Sequence, residues 1–196
     1  MGKEVFRLTS EQEAAILAVN NSDSEILAIE SGSGTSKSKT IVFALEDKNT
    51  PHKSALILAF NSKIAKQNRD EFPDWCDVRT LHSLAYRYIV GPLGLKVKGS
   101  STIYDFKTKA DKKQKSIWLS MLTKYCQSDY VKVSDFLRSI KLSYKFDEAE
   151  AAIKQVIIDT ETGKIEASHM VYIKLFQIHL LCKSIDVPKH DIVALD

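Results

Sequence analysis

Residues Ser31 to Ser38, SGSGTSKS, follow the apolar run Ile26-Leu27-Ala28-Ile29 and bring together the residue types that hold a triphosphate. In a glycine-rich turn successive backbone N–H groups wrap phosphate oxygens. An ammonium neutralises the outer phosphates, and a hydroxyl at the following helix start holds Mg²⁺. On this reading Gly32, Gly34, Thr35 and Ser36 line the anion, Lys37 supplies the charge and Ser38 the hydroxyl. The fit to G-x-x-x-x-G-K-[ST] is incomplete. Ser31 stands at the first glycine position, and Ser36 replaces the glycine before the lysine. Where that position takes a positive φ, a Cβ there costs roughly 1–2 kcal/mol, so weakened nucleotide binding is expected. The competing reading is a Ser/Gly-rich turn that caps a helix.

Three further groups carry chemistry. In LTSEQEAAI, Gln12 sits at a helix start capped by Thr9 or Ser10, where its amide offers a donor and an acceptor to an adenine edge; the bland alternative is a surface glutamine. Phe60 and Asn61 follow the strand-like SALILAF, where a buried strand hands over to a helix. An aromatic face and an amide there suit single-stranded DNA, and a last core residue of the strand is the alternative for Phe60. In VRTLHSLAYRYI, Thr80 and His82, with Ser83, stand at another strand-to-helix junction and can hold a nucleic-acid phosphate, or simply cap the helix.

In this order and at these spacings the series resembles the N-terminal part of superfamily 1 DNA helicases of the UvrD/Rep/PcrA kind, most closely their F-box DNA helicase relatives. The resemblance spans residues 8–90 and returns in SHMVYIKLFQ and DIVALD near the end. It implies an α/β, RecA-like P-loop NTPase lobe that uses ATP and Mg²⁺, with Lys37 and Asp196 as its catalytic groups and Ser38 and Asp196 serving the metal. It also implies single-stranded DNA as partner, gripped by Phe60, Asn61, Thr80 and His82. The glutamate that follows the Asp196 position in that family, and the second RecA-like lobe with its arginine finger, lie outside these residues. A chain of this extent is expected to be inactive alone.

The 196 residues are 44% hydrophobic, enough for a normal core. No apolar run reaches the roughly 18 residues of a membrane span, and MGKEVFRLTSEQ has no leader-like apolar stretch, so an intracellular protein is expected. Cys76, Cys126 and Cys182 form no C-x-x-C pair, which argues against a zinc site or a disulfide frame. The net charge is +3, but Lys96 to Lys145 holds twelve Lys/Arg against four Asp, leaving the rest net negative. That basic segment, with Lys112 and Lys113 in KTKADKKQK, reads as a nucleic-acid-facing patch or as a solvated helix surface.

Periodicity supplies the frame. Helices at about 10–20, 37–47, 62–70 and 81–90 alternate with strands at 25–30, 54–60 and 77–80, which calls for a parallel sheet with helices on both faces. After Gly91-Pro92 and Gly94 the pattern becomes helical without strands. One face carries Ile117, Trp118, Met121, Leu122 and Tyr125; another carries Val133, Phe136, Leu137 and Ile140 behind Ser134 as N-cap; a third carries Ala149, Ile153, Val156 and Ile157. The expected organisation is therefore a lobe over 1–92, an inserted helical subdomain over 93–182 and a return to the lobe over 183–196. The alternative function is a non-catalytic nucleic-acid- or protein-binding module derived from such a lobe. A small-molecule P-loop kinase is weaker, since it leaves TLHS and AFN without a role.

Overall fold

Strand β1 (Ala55–Ala59) is the centre of a parallel sheet, paired on one side with β2 (Cys76–Thr80) and on the other with β5 (Ile192–Leu195). The computed structural model describes residues 7–21, 27–28, 37–48, 50–142 and 145–195. The strand expected at 25–30, Gly32, Gly34, Thr35 and Ser36 of the loop, and Asp196 lie outside or largely outside these described residues.

The chain divides into two compact units, Met1–Thr80 with Lys189–Asp196, and Leu81–Pro188. In the first, the sheet unit, alternation sorts the strand residues. Ala55, Ile57 and Ala59 share one face with Val78 and Ala194, the register partners of Ile57, and Val42 and Leu45 of α2 (Lys37–Glu46) and Ala65 of α3 (Ser62–Glu71) pack there. The opposite face carries Leu56 and Leu58, the Asp77–Arg79 ion pair at 2.7 Å, and the exposed Val193 and Leu195. Helix α1 (Ser10–Asn21) packs on α2, and Asn20 Nδ2 donates to Ala44 O at 3.3 Å. The Asp191 carboxylate fastens β5 to β1. Its Oδ2 accepts from the N–H groups of Lys53 (2.7 Å) and Ser54 (3.0 Å), and these bonds hold its pKa below the usual carboxylate range.

The helical unit comprises α4 (Leu81–Ala85), a π turn (Tyr86–Val90), β3 (Val97–Lys98), a 3₁₀ turn (Ile103–Asp105), α5 (Lys112–Cys126), α6 (Val133–Ser139), α7 (Phe146–Glu161), β4 (Ala167–Ser168) and α8 (His169–Leu181). Helix α8 is nearly apolar throughout and packs against α4, the π turn, α5 and α7. An all-round apolar helix must be covered on every side. Because α4 and the π turn belong to that packing, the division falls at Thr80 rather than at the expected residue 92.

Several local expectations need correction. The helix at 81–90 is not uniformly α: Gly91 N–H reaches Tyr86 O at 2.9 Å, the five-residue step of a π turn. Residues 93–182 are not free of strands, since β3 and β4 pair in parallel and Ala167 N–H donates to Lys96 O at 2.7 Å. Two residues per strand are too few to show alternation in sequence. Ser134 is inside α6, whose N-cap is Lys132, because Val133 is drawn into the core as the first helical residue. Ile117 and Ile140, expected on buried faces, are exposed.

Lys174 is fully buried on α8, a position that apolar periodicity alone does not foresee. Its ammonium donates to Ser128 O (2.9 Å), Tyr130 O (2.6 Å) and Gln177 Oε1 (2.9 Å), and lies 4.3 Å from the centre of the Tyr125 ring. A buried charge survives only with such a full set of partners. It pins the 128–130 turn to α8.

Candidate nucleotide and nucleic-acid sites

All three strands run parallel, so their carboxyl ends lie along one edge, where ligands gather in open α/β sheets. Register opposes Ala59 to Thr80, which places Phe60 and Asn61 just past Thr80 at that edge. Phe60 is 87% exposed, so it is no core residue of its strand. Asn61 is the N-cap of α3: its Oδ1 accepts from Ile64 N–H at 2.9 Å. That bond fixes the side chain and leaves the Nδ2 protons without a partner among the described residues.

Lys37 and Ser38 open α2. Gln12 lies against that helix's first turn, with its Nε2 donating to Thr40 Oγ1 at 3.3 Å. The cap of α1 is resolved as well. Thr9 Oγ1 accepts from Gln12 N–H (3.3 Å) and Gln12 Oε1 accepts from Thr9 N–H (3.0 Å), a reciprocal capping box. The Gln12 amide therefore has one proton and one lone pair left for a base. Ser36 and Asp196, expected to meet phosphate and metal, lie outside the described residues. No group of three or more His, Cys, Asp or Glu is placed to hold a metal ion among the described residues.

The remaining expected contacts belong to the helical unit. Lys112 and Lys113 are exposed in the first turn of α5, behind its N-cap Asp111, whose Oδ1 accepts from Gln114 N–H at 2.7 Å. His82 is exposed on α4, its ring 5.6 Å from His169 and 6.2 Å from Tyr172. His169 was not singled out from sequence, although it stands in SHMVYIKLFQ. A cleft of about 710 Å³ in the sheet unit is lined by Asp47, His52, Lys53 and Trp75, before β1 and β2 begin, and by none of the residues expected to bind nucleotide or nucleic acid.

A third polar cluster closes α8. His179 Nε2 lies 2.7 Å from Glu161 Oε1, and a carboxylate only accepts, so Nε2 carries a proton, while Nδ1 lies 2.8 Å from Ser184 Oγ. Ser184 Oγ also lies 3.2 Å from His179 O, and Ser184 N–H donates to the same carbonyl at 2.9 Å. The hydroxyl is thereby built into a helix C-terminus. Among the described residues, no helix is long and apolar enough to cross a membrane. The chain matches no known family model, no curated protein and no solved structure.

Proposed function

We propose that this chain is the first, ATP-binding lobe of a UvrD-like, ATP-dependent DNA helicase: an intracellular, RecA-like P-loop NTPase lobe with an inserted helical subdomain. It tracks single-stranded DNA and is inactive without a second RecA-like lobe. The observation that carries the reading is Phe60, an almost fully exposed aromatic at the end of the buried strand β1, beside Asn61 and Thr80. An exposed ring held on a rigid strand loses little on being covered by a base, and base stacking on such a ring contributes about 1–3 kcal/mol. Asn61 Nδ2 donates to the strand while Oδ1 stays committed to the cap.

ATP and Mg²⁺ fit the residues present in part. Gln12, Lys37 and Ser38 lie on two packed helices, and Gln12 keeps hydrogen-bonding capacity for adenine. Gly32, Gly34, Thr35, Ser36 and Asp196 complete the set from the sequence pattern. Hydrolysis of the bound nucleotide supplies the free energy for movement along DNA.

The test has two arms. A fluorescent ATP analogue titrated with Mg²⁺ should bind weakly, Ser36→Gly should tighten it, and Lys37→Ala should abolish it; unchanged affinity in both variants removes the phosphate-loop assignment. Turnover by the chain alone should equal that of Lys37→Ala with or without single-stranded DNA. The non-catalytic module is favoured by one feature, the commitment of one Gln12 Oε1 lone pair to the α1 cap. It becomes the leading reading if DNA binds and no nucleotide does.

A further inference from the structure

His82 and His169 meet because α4 packs on the start of α8. The position of His169 is fixed from behind. Ser168, the N-cap of α8, is held in the β3–β4 ladder, and its hydroxyl lies 2.7 Å from that of Ser101. Both imidazoles rest on Tyr172, which is 3% exposed, with ring centroids 6.2 Å (His82) and 5.6 Å (His169) away. Both are exposed to solvent, and neither ring nitrogen hydrogen-bonds to another described residue. Two imidazoles with centroids 5.6 Å apart, on a rigid aromatic floor, present up to four N–H donors around one small space. A phosphate accepts hydrogen bonds at about 2.7–3.2 Å and can take one from each ring.

We propose that His82 and His169 form a two-imidazole clamp for a backbone phosphate of single-stranded DNA, carried by the helical unit alone and separate from Lys112 and Lys113. The choice of ligand rests on the strand-binding function proposed above; the pairing of the two rings does not. Histidine changes charge between about pH 5 and 8, so the clamp tightens as pH falls through that range. The titratable groups facing it are Tyr172 of α8 and Tyr86 of the π turn; Arg87 lies over the Tyr88 ring, and no carboxylate pairs with either imidazole among the described residues. Tyr86, 53% exposed, offers a ring for the adjacent base.

The experiment is fluorescence anisotropy of a labelled oligothymidylate with the whole chain, at about pH 6 and about pH 8, with EDTA present. The wild type should bind on the order of tenfold more tightly at the lower pH, and its salt slope should steepen by about one unit for the added phosphate contact. His169→Ala should remove most of that gain and leave binding near pH 8 unchanged, while Phe60→Ala should weaken binding by the same factor at both. His169 is exposed, and His169→Asn serves as a second variant that keeps a polar residue at the helix start. Independently, the NMR titration midpoints of both imidazoles should rise when the oligonucleotide is added.

A pH gain that survives in His169→Ala, with Phe60→Ala still weakening binding, overturns the clamp and leaves the strand-end site standing. So does a pH gain that appears only without EDTA, which would make the pair a metal site. No binding at either pH overturns both.

Discussion

The two units finish their secondary-structure elements in opposite ways. In the sheet unit the chain leaves strands and helices through extended residues: Asn61 at φ −143°, Phe72 at φ −85°, and Phe60 turned into solvent. In the helical unit it turns back on itself. Every positive-φ residue among those described, Gly94, Lys141, Lys145, Gly163 and Lys183, belongs to that unit. Its polar groups are spent internally too, as in the three bonds of Lys174, the Lys98–Asp105 ion pair, and Tyr125 Oη donating to Val131 O at 2.5 Å. Open ends keep donors and rings available to a ligand, whereas closed ends turn them into stability. The His82–His169 pair is the helical unit's exception, which is why it stands out there.

The contrast breaks most visibly at Lys174. Lys174→Met leaves two carbonyls and the Gln177 amide oxygen without their donor and should cost about 3 kcal/mol. Unfolding in urea is followed through buried Trp118 in a Trp75→Phe background, where it is the remaining indole. Burial holds the Lys174 pKa below its usual 10.5, so the unfolded chain binds this proton more tightly. The stability of the wild type relative to the Met variant should accordingly rise as pH climbs from the lowered folded-state value toward 10.5. A variant as stable as wild type would show that the ammonium is a passenger.

Phe60→Ala is the opposite case. Its ring is already in water, so stability should not change, while single-stranded DNA affinity should fall by about 1–3 kcal/mol through lost stacking. Anisotropy and a urea melt on one sample separate the two. Stability lost without any change in affinity would move Phe60 into the class of Lys174.

What was legible in the sequence follows the same line. The described strands and helices of the sheet unit lie within a residue or two of their expected places, because β1 is apolar and α3 is announced by its N-cap asparagine, while the strand expected at 25–30 falls largely outside the described residues. Less was visible where tertiary packing overrode local signals. Ser134 is a good cap type, yet burying Val133 started the helix two residues earlier, with Lys132 as its N-cap. The two-residue strands β3 and β4 are too short for a pattern, and a lysine inside VYIKLFQ gives no local hint of where its partners are, since Ser128 and Tyr130 lie more than forty positions away. Of the candidate site, the chemistry-bearing residues at strand ends could be named from sequence. His169 could not, because only the packing of α4 on α8 brings it to His82.

Asp191 tests a place where the sheet unit closes on itself. Its pKa is depressed by two backbone N–H groups, so its contribution is present above the ordinary carboxylate range and is lost as pH falls through the lowered value. Asp191→Asn should speed amide exchange in β5 at neutral pH, and the difference from wild type should shrink in acid. Equal exchange at neutral pH would mean that strand pairing alone holds β5.

The smallest effects are expected where the helical unit turns back with the wrong residue. At Gly163, N–H donates to Thr160 O (3.0 Å) and Lys164 N–H to Asp159 O (2.8 Å), the paired bonds of a left-handed helix end. Lys141 and Lys183 occupy the same position in α6 and α8, both at φ 55°, with Leu142 N–H reaching Leu137 O at 3.1 Å and Ser184 N–H reaching His179 O at 2.9 Å. A Cβ in this conformation costs roughly 1–2 kcal/mol. Glycine removes that cost but adds about 0.4–1 kcal/mol of unfolded-chain entropy, and at a helix C-terminus it forfeits up to about 1 kcal/mol of favourable charge. Lys141→Gly and Lys183→Gly should therefore each stabilise the helical unit by about 0.5 kcal/mol or less. Gly163→Ala should destabilise it by about 1 kcal/mol, from backbone strain alone, because a Cβ there meets no atom within 4 Å. Urea midpoints of the three variants decide. If the lysine variants lose stability as Gly163→Ala does, helix-end charge outweighs backbone strain in this unit.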